Sequence, residues 1–274
     1  MQYVELNNGI KMPQLGFGVW QVSNEKVIPA VKKALEVGYR SIDTARIYNN
    51  EEGVGQAIKE TGIPREELFI TTKVWNADQG YDKTLKAFEE SLERLGLEYV
   101  DLYLIHWPCP DFGLYVETYK ALEKIYRDGR AKAIGVSNFD IDHLEKILNE
   151  CDVIPVVNQV ECHPYLQQKK LKEFCARHNI KVEAYSPLMN GRDVLQDETI
   201  VNIAKKHDKT PAQVILRWHL QNDTVVIPKS VTPSRIEENF RLFDFELDAN
   251  DMKAIDSLDR NIRINSVPAE YHRT

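Results

Sequence analysis

Eight short strand-like runs, each followed by a helical stretch, constrain this chain more than any other feature. The strand-like runs cover residues 15–19, 39–44, 68–73, 99–106, 131–136, 153–160, 180–185 and 224–228. Helical periodicity follows at 24–37, 50–60, 81–95, 114–128, 140–149, 167–178, 197–207, 211–221 and 233–240, with a last helix near 249–258. Gly38, Gly62, Gly96 and Gly129 stop helices, while Asp140 and Pro211 open them. Strict alternation of this kind implies parallel strands joined by crossover helices. Eight such units closing on themselves make an α/β fold of the (β/α)8 TIM barrel type. The runs at 100–105 and 153–157 are mostly apolar, as expected of strands covered on both faces. An Asn7-Asn8-Gly9 turn in residues 2–14 predicts an N-terminal β-hairpin that caps the scaffold. No linker or low-complexity run interrupts the pattern. The 274 residues are therefore read as one domain, 1–274, with extra C-terminal helices.

The rival architecture is an open, doubly wound sheet that binds a dinucleotide through G-x-G-x-x-G. Gly16 and Gly18 begin that pattern, but Gln21 holds the third position. Gly53 and Gly55 begin it again, but Ile58 ends it. A net charge of -7 argues against nucleic acid as a partner. No apolar run is long enough to span a membrane. The N-terminus does not read as a secretory signal, and Cys109, Cys151, Cys162 and Cys175 are scattered without a C-x-x-C pair. A reducing cytoplasm is expected. The Asn222-Asp223-Thr224 sequon then carries no meaning. Cys162-His163 stands alone, so no metal is expected.

A barrel of this kind places its chemistry at the C-terminal ends of the strands. Asp43 ends the second strand, Lys73 the third and His106 the fourth, and Tyr48 lies in the loop after the second. Each alone has a plain structural reading: an ion pair, a satisfied histidine, a packed aromatic. Together they form a proton-handling set. A tyrosine has a pKa of about 10 in water, and a neighbouring ammonium is expected to lower it. The aspartate would keep the lysine charged and oriented. The histidine would hold a carbonyl oxygen. Such a set suits hydride addition to an aldehyde or ketone. Trp20, Trp75 and Trp107 also fall at strand ends and are expected to wall a substrate pocket. Trp218 falls on a helical face and reads as core.

Further segments extend the match. They are Leu15-Gly16-Phe17-Gly18-Val19-Trp20, the Gly38-to-Ala45 segment with Tyr48, Thr72-Lys73, and Asp101-Leu102-Tyr103-Leu104-Ile105-His106-Trp107-Pro108. Ile134-Gly135-Val136-Ser137-Asn138-Phe139, Val157-Asn158-Gln159, Ala184-Tyr185-Ser186-Pro187-Leu188 and Ile227-Pro228-Lys229-Ser230 complete the set. In these the chain resembles the aldo-keto reductases over essentially its whole length. The resemblance implies a (β/α)8 barrel, with NADPH extended across its mouth. Tyr48 would be the proton donor, Lys73 and Asp43 its tuning pair, and His106 the residue that orients the carbonyl. Ser137, Asn138 and Gln159 would hold the nicotinamide carboxamide, and Tyr185 would stack on the ring. Ser186 and Leu188 would line the pyrophosphate, with Gly18, Val19 and Asp43 near the nicotinamide ribose. Lys229, Ser230, Val231 and Arg235 would grip the 2′-phosphate, and Glu238 and Asn239 the adenine. The loop after the eighth barrel strand is independently a frequent phosphate site, and arginine can grip phosphate through two parallel hydrogen bonds.

The substrate implied is a small aldehyde, ketone or dicarbonyl, and the family default is a monomer. A non-catalytic or structural protein on the same barrel is the alternative. Ser41 stands where many relatives have histidine, and Met189-Asn190-Gly191 where many have glycine. The nearest resemblance is to small bacterial members that reduce glyoxal, methylglyoxal or a diketo-gluconate. The tail after Ile262 is short. In the family the tail helps close the pocket, so an open pocket with loose selectivity is expected.

Overall fold

The computed structural model describes residues 1–271. Strands β1 (Tyr3–Glu5) and β2 (Lys11–Pro13) form the antiparallel hairpin. Gly9 turns it with φ 82°, a conformation glycine adopts without penalty. Eight strands follow: β3 (Phe17–Gly18), β4 (Ser41–Asp43), β5 (Phe69–Val74), β6 (Leu102–Ile105), β7 (Ile134–Ser137), β8 (Val157–Glu161), β9 (Lys181–Tyr185) and β10 (Val225–Val226). Each pairs in parallel with the next. The sheet closes on itself through a parallel bridge between Leu15 and Val226 and the Gly18 N–H donated to the Pro228 carbonyl at 3.2 Å. The sequence-predicted barrel is present.

The outer layer holds α1 (Asn24–Val37), α2 (Glu51–Thr61), α3 (Tyr81–Leu95), α4 (Tyr115–Arg127), α5 (Ile141–Glu150), α6 (Lys169–Arg177), α7 (Glu198–His207), α8 (Pro211–Gln221), α9 (Pro233–Phe240) and α10 (Ala249–Asp256). Several strands are shorter than the apolar runs suggest. In the run 153–160, pairing begins at Val157, after Pro155, which has no N–H to give a ladder. The Gly53-Gly55 pair proves to be a packing device inside α2. A Cβ at Gly55 would lie 2.1 Å from the Leu95 carbonyl oxygen, and one at Gly53 would lie 2.4 Å from that of Asn24. Glycine there lets α2 press against its neighbours.

The two-residue period of a strand sorts each sequence run into an inner and an outer set. In β5, Ile70 joins the apolar layer between sheet and helices, and Thr72 hydrogen-bonds Glu51 of α2 at 2.6 Å. Phe69, Thr71 and Lys73 point the other way, into the barrel. Leu102 and Leu104 of β6 and Val157 of β8 fill the barrel floor with Phe69. Val4, Leu6 and Met12 of the hairpin plug that floor from below, and Asn7 ties the hairpin down through the Pro155 and Asn179 carbonyls. The apolar filling stops partway up. Above it the inward positions turn polar: Asp43, Lys73, Gln159 and Glu183. That switch locates the site at the opposite end from the hairpin.

Candidate active site

Lys73 is fully buried and donates to Asp43 Oδ1 at 2.7 Å and to the Thr44 carbonyl at 2.9 Å. Two of its three N–H donors are thereby used. Gln159 Nε2 donates to the other oxygen of Asp43 at 2.8 Å. Desolvating such an ion pair is costly and is offset only when the remaining polar atoms are also satisfied, as those of Asp43 are here.

Tyr48 ends a single 3-10 turn, Arg46–Tyr48, just beyond β4. Asn50, wholly buried, fixes this loop. It accepts from Thr44 Oγ1 at 2.7 Å and donates to the Val19 and Val22 carbonyls at 3.0 and 2.9 Å. The Lys73 ammonium lies 5.2 Å from the centre of the Tyr48 ring. The His106 ring stands edge-on to Tyr48 at 5.6 Å and to Trp75 at 5.3 Å. The fold thus brings the four expected side chains together.

Their electrostatics correct one expectation. Burial raises the Tyr48 phenol well above its ordinary value, and Asp43 and, when ionised, Glu183 push the same way. Burial and the two carboxylates outweigh any lowering by the lysine, so the net shift is upward. Burial also holds His106 well below the usual imidazole range, with Lys73 adding to the effect. Tyr48 and His106 therefore face the barrel mouth as a neutral phenol and a neutral imidazole. A neutral imidazole keeps one N–H. Two adjacent donors of this kind can meet an oxygen on which negative charge develops.

A groove of about 1450 Å³ runs across the mouth. Its lining includes Trp20, Tyr48, Trp75, His106 and Trp107. Gly18, Asp43, Ser137, Asn138, Gln159, Tyr185, Ser186 and Leu188 also line it. Lys229, Ser230, Val231, Arg235, Glu238 and Asn239 line it as well. Asn138 adopts φ 62°, donates to the His106 carbonyl at 2.9 Å and accepts from the Tyr185 hydroxyl at 2.7 Å. Ser137 Oγ donates to the Gln159 carbonyl at 2.8 Å. Lys229 and Arg235 are exposed and enter no ion pair among the described residues. Val19 is a correction, since it does not line the groove. It is fully buried and gives its N–H to the Asp43 carbonyl at 3.2 Å. Lys73 also lies behind the wall. Trp218 is core, as expected, with its Nε1 donating to Asp256 at 2.8 Å. Among the described residues no group of three or more His, Cys, Asp or Glu side chains could hold a metal.

The tail takes part in the groove. Ile264 and Asn265 donate their backbone N–H groups to the Glu161 carboxylate at 2.7 and 3.0 Å, and Asn265 Nδ2 adds a third bond at 2.9 Å. Residues 264–266 and Tyr271 thereby line the groove. Tyr271 stacks on Trp107 with ring centres 4.1 Å apart. One buried carboxylate gathers these three donors and holds the segment against the groove. Arg192, exposed on the groove wall, is a second residue that local reading passes over. Glu161→Gln should raise KM for aldehydes several-fold with little change in kcat, since the tail is loosened and the proton donors are untouched. Steady-state kinetics on small aldehydes would show this, and an unchanged KM would remove the latch.

The sequence profile of the Aldo/keto reductase family matches residues 13–260. The chain is 56% identical to the glyoxal reductase of Bacillus subtilis (strain 168) over 268 residues, 97% of this chain and 96% of that one. It is 51% identical to the methylglyoxal reductase DkgA of Escherichia coli (strain K12), covering 98% and 97% of the two chains. A crystal structure of a Gox0644 mutant in complex with NADPH superposes with a TM-score of 0.95 at 51% identity, covering 98% of each chain. A closed barrel, a proton-donating set at its mouth and full-length similarity of this degree agree: the chain belongs to the aldo/keto reductase family.

Proposed function

We propose that this protein reduces small aldehydes, ketones and dicarbonyls of the methylglyoxal type to alcohols with NADPH. The observation that carries the reading is the groove itself. In it Tyr48 and His106 converge in front of the buried Lys73–Asp43 pair. The same groove holds Lys229 and Arg235 by the first turn of α9, neither in an ion pair among the described residues. Backbone N–H groups at a helix start favour anions, so this part suits a phosphate. Ser137, Asn138 and Gln159 supply amide and hydroxyl groups where a carboxamide would lie, and Tyr185 supplies a ring for stacking. Lys229, Ser230, Val231 and Arg235 would hold the 2′-phosphate, with Glu238 and Asn239 at the adenine. NADPH supplies the hydride when bound.

The residues of the chain do the rest. Trp20, Trp75, Trp107 and Tyr271 exclude water and confine a small carbonyl compound. His106 orients the carbonyl oxygen. Tyr48 donates its proton to that oxygen as charge develops, and the third N–H of Lys73 is available to the phenolate that remains. The relatives named as glyoxal and methylglyoxal reductases support a dicarbonyl substrate and disfavour a silent, structural barrel. The test is a panel of aldehydes and dicarbonyls with NADPH and with NADH. Oxidation of NADPH by methylglyoxal is expected. No oxidation with any member would defeat the reading. Arg235→Ala should raise KM for NADPH by about tenfold or more, the scale of a charge-assisted contact, and leave KM for NADH nearly unchanged. Equal effects on both cofactors would remove Arg235 from the phosphate.

A further inference from the structure

Glu183 is a buried carboxyl group with no part in the reaction as derived. It occupies the inner face of β9, opposite Gln159 in the register of β8 and β9, and is 1% exposed. Gln159 Nε2 donates to Glu183 Oε2 at 2.8 Å. The same nitrogen donates to Asp43 Oδ2 at 2.8 Å. A primary amide nitrogen has two hydrogens, so both are taken by carboxyl groups on opposite sides. Turning the amide over would set its oxygen against the Asp43 carboxylate, which has no hydrogen to give. The orientation is fixed chemically as well as sterically, and only Gln159 Oε1 remains to meet anything in the groove that Gln159 lines. One carboxyl would hold the nitrogen but leave the amide free to swing about that bond. The second removes the swing.

We propose that Glu183 is a positioning residue for the nicotinamide: with Asp43 it locks the Gln159 amide so that its carbonyl oxygen alone faces the cofactor carboxamide. This rests on the assignment of Gln159 to that carboxamide. The lock selects a ligand group that donates an N–H and rejects one that offers only a carbonyl. The surroundings of Glu183 fit a fixed, uncharged partner. Its Oε1 has no hydrogen-bond partner, and burial, with Asp43 adding to it, pushes its carboxyl up to about 8. The charged and titratable groups that act on it are Asp43, Lys73 and Tyr48. Protonated, Glu183 still accepts through one oxygen and places no second anion beside Asp43.

The test compares binding of NADP+ with its 3-acetylpyridine analogue, whose acetyl group keeps the carbonyl and lacks the NH2. Dissociation constants are read from quenching of tryptophan fluorescence. The native protein should prefer NADP+ by about tenfold, the scale of one buried hydrogen bond left unmade. Glu183→Leu should reduce that preference to about threefold or less, because the freed amide can turn a donor toward the acetyl oxygen. Glu183→Gln keeps an acceptor in place and should retain the preference. Glu183→Val serves if the leucine variant does not fold, with far-UV circular dichroism as the check. A full preference in a folded Leu or Val variant would overturn the role of Glu183 while leaving Gln159 at the carboxamide. No preference in the native protein would overturn both.

Discussion

Tyr48→Phe should lower kcat for methylglyoxal by about a hundredfold to ten-thousandfold, the range associated with losing a positioned general acid. NADPH affinity should stay within about threefold of the native value. The substitution removes one oxygen and leaves the ring in contact with His106. The phenol is neutral near neutral pH because burial raises it well above its ordinary value. Neither of the other donors can take over. His106 is held neutral, and Lys73 lies behind the wall with two N–H groups committed. Stopped-flow reduction with NADPH already bound isolates this step. A variant within tenfold of the native rate would mean that another group delivers the proton.

Lys73→Met should cost both activity and stability. It removes the fully buried ammonium and leaves the Asp43 carboxylate, 2% exposed, without its cation. Breaking a buried pair from one side typically costs about 3–5 kcal/mol, enough to lower the melting temperature clearly. On the proposed mechanism the rate should fall by about a hundredfold or more, because no cation would be left near Tyr48 as it gives up its proton. The double variant Lys73→Met with Asp43→Asn removes both charges and should be more stable than the single one, as coupling between contacting residues requires. Denaturant melts of the three proteins measure this. Equal stability of the single variant and the native protein would show that the pair is solvated.

The barrel was legible because its signals are local. Alternation of strand and helix, glycine stops and the Asn-Gly turn each act within a few residues. Asp43, Lys73 and His106 were legible as a group because strand ends in a barrel share one rim. What escaped depends on contacts between distant segments. Glu161 and the tail lie more than a hundred residues apart, and nothing near either one announces the latch. Glu183 reads as an ordinary polar residue of a mixed strand until the register sets it opposite Gln159. The acidity of Tyr48 was misjudged because charge was counted before burial. Counting inward positions by the two-residue period finds Glu183 beside Asp43, Lys73 and Gln159.

The most direct measurement follows NADPH and methylglyoxal together in the presence of the purified protein, counting cofactor oxidised against alcohol formed. One alcohol for each NADPH is expected, with the reaction lost in Tyr48→Phe. Alcohol formation that survives in that variant, or NADPH consumed without alcohol, would contradict reduction by this set of residues.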